Sequence, residues 1–455
     1  MSSYFQSSRE EILRDYFELL RFPSIGADKL HLRDCVNCAM WLKKWLEKIG
    51  FSASLEMSEK HLGSPPVLFA SRKGDEASPT ILFYGHYDVQ PPEPLEKWET
   101  EPFEPVLKDN ERVYARGSQD DKGQFFSFLC GMKALIEQGA KLPNIKILLE
   151  GQEESGSQML SDIAESLSEK IKADVLLVCD TSAASELRPA IIAGLRGVAH
   201  LTIKLDAASG DLHSGEHGGL APNPALGIAQ IVSTLHNCDG SIAVRGFCDG
   251  ILMPSEKEIR LANESTVSED EYEKTFGVKP CGGEEGLSMS ERNAFRPTIE
   301  VNGIHSGYGG PGSKTVIPSS AFAKISMRLV PGQSPRRVVE LVKKHLENNV
   351  PRGMKLTIDE VNEGSPGFRL PIESPIFRLA QFILEEIDDR GPVFMWEGAS
   401  IPVVSDLVRA SGAAPLLVGF GQAEDAIHAP NESYSLKQFS LTMKWAEKII
   451  SAIAE

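Results

Sequence analysis

Cysteine is sparse in this 455-residue chain: there are seven, an odd number, scattered from Cys35 to Cys281. Such usage argues against a disulfide framework and for a reducing compartment. Cys35 and Cys38 form a C-x-x-C inside the helix-like run HLRDCVNCAMWLKKWLEKIG. A structural zinc site of that type needs a second pair, and the sequence has none, so the two read as thiols one helical turn apart. No apolar run approaches the roughly 20 residues that span a bilayer. The first residues, MSSYFQSSREEILRDYFELL, contain no basic stretch leading into an apolar one, so they do not read as a secretory signal. Positive charge is also short: 47 Lys and Arg stand against 64 Asp and Glu, a formal net charge of −17. A surface that negative repels phosphate backbones and anionic lipid heads, which argues against nucleic acid and membrane partners. A soluble cytoplasmic protein is the expectation.

Apolar residues make up 41% of the chain and charged residues 24%, close to the globular average. The length suggests two or three domains. Helical spacing of apolar residues marks 9–21 and 31–49. Short apolar runs then read as buried strands at 65–70, 80–85, 144–151 and 173–179, with helical patterns between them at 123–139 and 157–169. That alternation predicts an α/β layer with a largely parallel sheet. Near residue 190 the pattern changes. Alternating strand character appears at 200–207, 297–304, 323–332 and 354–361, with helices at 223–237 and 334–350, as expected of an α+β module with a one-sided sheet. The acidic stretch 254–295 reads as irregular surface. After residue 372 the first pattern returns, with a strand at 415–421 and a closing helix from Leu436. The reading is a catalytic α/β domain in two parts, 1–188 and 372–455, interrupted by an inserted domain over 189–371.

Open α/β sheets place ligands outside the carboxyl ends of their strands. Here TILFYG runs into His86-Tyr87-Asp88, NIKILLEG into Gln152-Glu153-Glu154, ADVLLVC into Asp180, and PLLVGFG through Gln422-Ala423-Glu424-Asp425 to His428. Any one of these is an ordinary loop polar residue. Four strands that each deliver a metal-competent side chain to one edge point to a metal site. A Gly-flanked turn, ARGSQDDKGQ, adds Asp120 and Asp121, one of which could bridge two cations through its two oxygens. Imidazole and carboxylate without thiolate suit zinc, with manganese or cobalt as replacements. Two metals ~3.5–4 Å apart can share a water and polarise a carbonyl. Of the neighbours Glu153 and Glu154, one can ligate while the other takes the water's proton.

The stretches GHYDVQP (85–91), ARGSQDDKG (115–123), EGQEESGS (150–157), DLHSGEHGG (211–219), SKTVIP (313–318), SMRLVPG (326–332) and EGASIPV (397–403) resemble the zinc dipeptidase family that includes carnosinase and the cytosolic nonspecific dipeptidase. The resemblance covers nearly the whole chain in the same order. It implies a di-zinc peptidase α/β domain with a mixed, largely parallel sheet, and an inserted ferredoxin-like lid and dimerisation domain. It implies that His86 and Asp180 bind one zinc, that Glu154 and His428 bind the other, and that Asp120 bridges them. Glu153 would be general base and acid toward a water held between the zincs, and Asp88 would orient His86. His213, in the HSG motif, would stabilise the tetrahedral oxyanion from the partner subunit of a homodimer. Thr315, Arg328 and Ser400 match substrate-contacting positions, Arg328 being suited to a terminal carboxylate.

In relatives, Asp at the position of Asp180 accompanies dipeptidase or aminopeptidase activity, and Glu accompanies carboxypeptidases and N-acyl amino acid deacylases. Dipeptides with free amino and carboxyl termini are therefore the expected substrates. The rivals are a deacylase or carboxypeptidase, and a non-catalytic metal-stabilised binding protein, which would need a missing ligand or base. His200, His217 and His305 have no comparable context and read as structural or solvated. The glycine-rich HSGYGGPGSK lacks the GK[ST] ending and following helix of a phosphate loop.

Overall fold

The computed structural model describes residues 2–75, 77–184, 187–398 and 401–455. The chain opens with helices α1 (Arg9–Leu20) and α2 (Leu32–Lys48). Strands β1 (Ser52–Glu56), β2 (Val67–Arg72), β3 (Thr80–His86) and β4 (Arg112–Tyr114) follow. Then come α3 (Lys122–Glu137), β5 (Asn144–Glu150), β6 (Val175–Val178) and β7 (Ala190–Leu195). The middle of the chain forms β8 (Gly197–Asp206), α4 (Pro224–Ser233), β9 (Thr298–Ser306), β10 (Ser320–Leu329), α5 (Pro335–Asn348) and β11 (Lys355–Ser365). It closes with α6 (Pro375–Ile387), β12 (Ala414–Gly419), β13 (Ser433–Ser435) and α7 (Leu436–Ala454). These elements fall into two units, one of Met1–Ala193, Leu370–Met395 and Val403–Glu455, the other of Gly194–Arg369 and Trp396–Pro402.

In the first unit the sheet order runs β1-β2-β5-β3-β6-β12-β7. The four central strands, β5, β3, β6 and β12, are mutually parallel, while β1, β2 and β7 are antiparallel to their neighbours. The sheet is therefore mixed, with a parallel centre. The central strands are apolar on both faces, and every residue of β6 is buried, which is how a sheet covered by helices on each side reads. Helix α3 is buried at every residue from Lys122 to Leu135 and packs against α7. Gly131 permits that approach: a Cβ there would lie 2.5 Å from the Met443 carbonyl oxygen and 2.8 Å from the Ala446 Cβ. Cys35 and Cys38 are buried on α2 as free thiols, and burial pushes both above the ordinary thiol range, to about 12 and about 11.

The second unit is a βαββαβ arrangement with strand order β9-β10-β8-β11, antiparallel throughout. That is the ferredoxin-like pattern. Strand β8 alternates strictly, burying Ala199, Leu201, Ile203 and Leu205 against Ile228 and Ile231 of α4 and Val338, Val342 and Leu346 of α5. The opposite face carries His200, Thr202 and Lys204.

Three expectations need correction. The stretch 254–295 is not irregular: it contains helices Glu256–Ser265 and Glu269–Phe276, capped by Ser255 and Ser268, whose hydroxyls accept from the amides of Glu258 and Glu271. The S-x-x-E spacing behind both caps is a helix-start signal that the acidic composition obscured. The helix expected over 157–169 breaks into Gln158–Ala164 and Ser168–Ile171. Strand β7, an apolar AIIAGL run, lay in the interval where the pattern was changing and was not assigned.

Replacing Gly131 by Ala should destabilise the first unit by about 1–3 kcal/mol through overpacking. A lower urea midpoint with an unchanged slope checks this, and an unchanged midpoint would show that the helices move apart freely.

Candidate metal centre

The parallel centre of the sheet decides where the polar residues go. Strand β3 ends at His86, and β5 leads into a single turn at Glu153–Ser155. Strand β6 ends two residues before Asp180, and β12 leads through the turn Ala423–Asp425 to His428. Because these four strands run the same way, their carboxyl ends open on one edge. Asp120 and Asp121 stand immediately before α3.

Asp120 lies between the two histidines. Its Oδ1 is 3.1 Å from His86 Nε2 and its Oδ2 is 2.9 Å from His428 Nε2. His86 Nε2 is also 3.6 Å from Asp180 Oδ2, and His428 Nε2 is 3.2 Å from Glu154 Oε2. The side chains divide into two groups, His86 with Asp121 and Asp180, and Asp120 with Glu154 and His428, each with ligand atoms within 4.8 Å of one another. Asp121, the other candidate bridge in the sequence, belongs to the first group. Its Oδ2 accepts from the His86 amide at 3.2 Å, and its Oδ1 is buried without a hydrogen-bond partner. An orphaned buried carboxylate oxygen beside an imidazole fits a cation site.

Asp88 supports this arrangement from beneath. His86 Nδ1 is 3.2 Å from the Asp88 carbonyl oxygen and 3.4 Å from its Oδ1. The same carboxylate accepts from the amides of Glu153 and Glu154, each at 3.2 Å. One fully buried side chain thus orients a histidine and seats both glutamates. Gln90 Nε2 donates to Glu154 Oε2 at 2.8 Å.

The charges interact strongly. Burial works against charge on the His86 ring, but Asp180, Asp120 and Asp88 outweigh it and hold the ring well above the ordinary histidine value. Hydrogen bonds donated to Asp120 and Glu154 raise His428 to about 10. Burial opposes ionisation of Asp120, yet His428 and His86 keep it below the usual carboxylate range. Glu153 goes the other way: burial pushes it well above the usual range, and Asp180, Glu154 and Glu150 add to that against the opposing pull of His86. Without cations, protons on the imidazoles compensate the carboxylates.

The segment that delivers His428 is held in unusual backbone. Ala426, His428 and Asn431 have φ of +55°, +59° and +66°, conformations that cost of order 1–3 kcal/mol each outside glycine. Buried Asp425 anchors it by accepting from the Gln422 amide, Gln438 Nε2 and Arg112 Nη1.

The remaining expected site residues lie in the second unit, except Ser400, which falls outside the described residues. Leu212–His213 pairs antiparallel with Val316–Ile317, and this brings His213 Nε2 to 3.3 Å from Thr315 Oγ1. His213 Nδ1 accepts from the Gly215 amide at 3.1 Å, so the neutral ring carries its hydrogen on Nε2, facing Thr315. Arg328 is on the helix-free face of β10, across from Thr298 on β9 and Val198 on β8. Its charge bears on two basic groups that the sequence did not single out. Burial lowers Arg196 to about 10 and lowers His200, and Arg328 adds to both shifts. Arg196 donates to the carbonyl oxygens of Gly398 and Arg296 and to Asn293 Oδ1.

The family model for peptidase family M20/M25/M40 matches residues 82–452. The chain belongs to that peptidase family. It is 29% identical over 445 residues to the Cys-Gly metallodipeptidase of Schizosaccharomyces pombe, covering 95% of this chain and 93% of that one. It is 26% identical to the β-Ala-His dipeptidase of Rattus norvegicus over 421 residues, 91% of this chain and 83% of the other. Among solved structures, an M20 family metallo-carboxypeptidase from Sulfolobus solfataricus superposes with a TM-score of 0.84 at 29% identity, over the full length of both chains.

A histidine raised to about 10 is protonated at pH 7 in the metal-free peptidase, and it must lose that proton to bind a cation. Zinc titration should therefore release protons at pH 7, and zinc affinity should rise from pH 6 to pH 8. Calorimetry in two buffers of different ionisation enthalpy measures the release; affinity flat with pH and no release would contradict the charge balance described.

Proposed function

We propose that this peptidase hydrolyses dipeptides at a two-zinc centre held by His86, Asp120, Glu154, Asp180 and His428, with Glu153 as general base. The observation that carries this reading is Asp120 with one oxygen facing each histidine. Imidazole and carboxylate donors without thiolate fit zinc, and manganese or cobalt could replace it. When bound, two such cations lower the pKa of a water and polarise the scissile carbonyl. Glu153 takes the proton from that water and returns it to the leaving amine. Burial raises its carboxyl above the usual range, which favours uptake of a proton there. Asp88 holds the His86 ring and the amides of both glutamates, so base and ligand move together.

His213, with Nε2–H aimed at Thr315, is assigned to the tetrahedral oxyanion, reaching the active site of a second copy in a homodimer. The outer strand β9 supports association: it is an unpaired sheet edge carrying exposed Val301 and Ile304. Arg328, Ser400 and the basic pair Arg196 and His200 are assigned to the peptide's terminal carboxylate. A cytoplasmic location agrees with seven cysteines that are all free, four of them buried as thiols. No helix among the described residues is long and apolar enough to cross a membrane.

A second reading is favoured by one finding, the 29% identity and full coverage shared with a metallo-carboxypeptidase. Asp180, which the family resemblance associates with substrates bearing a free amine, speaks for dipeptides.

Glu153→Gln should lower kcat by at least about 10²–10⁴-fold while metal content stays near two per chain. Full retained activity would remove Glu153 from the mechanism. A panel of dipeptides against N-acetyl, N-succinyl and N-formyl amino acids and longer peptides separates the two readings. Cleavage of blocked or longer substrates without action on dipeptides would overturn the choice made above.

A further inference from the structure

Glu432 takes no part in the chemistry described, yet it is among the most enclosed charges in the first unit. Its side chain and that of Arg116 are each 1% exposed, and they meet at 2.7 Å. The carboxylate accepts four hydrogen bonds. Oε2 takes Arg116 Nη1 at 2.7 Å and the Gly117 amide at 2.9 Å. Oε1 takes the Gln119 amide at 2.9 Å and the Asp120 amide at 3.1 Å. A carboxylate offers about four lone-pair directions, so its capacity is filled. The turn from Arg116 to Asp120 is wound around this one anion, with Gly117 at φ +80°. The backbone continues the tie: the Ala115 amide donates to the Glu432 carbonyl at 3.1 Å, and β13 pairs with β4 beyond it.

Glu432 follows His428 by four residues in the segment with three left-handed non-glycine residues. Asp120 is the residue between the two histidines. A single side chain therefore joins the segment that carries one ligand to the amide of the shared ligand, across 312 positions of sequence. We propose that Glu432 is a positioning residue for the metal centre: its carboxylate, neutralised by Arg116, fixes the separation of Asp120 from His428. Without that brace, the strained His428 segment could relax away from Asp120, and the pair would no longer present Oδ2 and Nε2 to one cation. A neutral amide cannot substitute. Either oxygen position, turned to NH2, faces two N–H donors, and Arg116 is left buried without its counter-charge.

The inference rests on the two-metal reading, and the test separates their failures. Zinc affinity and stoichiometry are measured by chelator competition on the full chain, alongside thermal midpoints. The native chain should bind two zinc ions; fewer than two would count against the two-metal reading itself. E432Q, measured well below its thermal midpoint, should bind the cation shared by Asp120 and His428 about 10–100-fold more weakly, the usual effect of losing a group that supports a ligand. Gly131→Ala, destabilised far from the ligands, should keep native affinity, so that lost stability alone does not explain the change. If E432Q does not fold, E432D takes its place: it keeps the charge but is one methylene too short to reach all four donors, and its affinity should fall in the same direction. Native zinc affinity in a folded E432Q, or in E432D where E432Q fails to fold, would overturn the inference and leave Glu432 a structural ion pair.

Discussion

The mutual repulsion of five carboxylates at one sheet edge is the constraint around which the first unit is built. Asp120, Asp121, Asp180, Glu153 and Glu154 crowd two imidazoles. Buried like charges are costly unless something of opposite sign is placed among them. In the metal-free chain that something is protons: His86 and His428 are raised, and so are Glu153 and Asp121. Two divalent cations would take over the same task. The surrounding polar network then has a clear purpose, because a cluster that repels itself must be held in place from outside. Asp88 and Glu432 accept hydrogen bonds from the amides of Glu154 and Asp120, and Asp425 accepts from the Gln422 amide at the start of the turn that leads to His428.

This division of labour explains what could be read from the sequence. His86, Glu153, Glu154 and Asp180 each follow an apolar run closely, and a short run followed by a polar residue is a local pattern. Their convergence depends only on the four strands being parallel, which alternation with helices predicts. The choice between Asp120 and Asp121 could not be read this way. The two are adjacent, and only their side-chain directions place Asp120 between both histidines while Asp121 turns toward the His86 amide. The family resemblance, not the spacing, pointed to Asp120.

Other features were illegible for a different reason. Arg196 and His200 become notable only when the pairing of β8 with β10 puts them near Arg328, and cross-strand register is not written in either strand alone. Three of the four donors to Glu432 are backbone amides, so apart from Arg116 the positions it contacts show no distinctive side chains. The helices within 254–295 are the opposite case. Their S-x-x-E starts are present in the sequence, at Ser255 and Ser268, within a stretch whose acidic composition masks them.

The proposed ligands also differ in how they are delivered, and the difference has consequences. His86 is the last residue of a central strand, paired with Glu150 on one side, and the strand is held on its other side up to Tyr84. His428 sits on a segment with three residues in left-handed backbone, half exposed, and reaches its position only through hydrogen bonds from elsewhere. A residue at the end of a sheet strand has its backbone fixed by the ladder and only its ring left to orient, whereas one on strained backbone stays in place only while its anchors outweigh the strain. The asymmetry predicts which half of the centre loosens first. The group containing His86 and Asp180 inherits the rigidity of the sheet. The group containing Glu154 and His428 depends on side-chain anchors, and these are the contacts that substitution removes most easily.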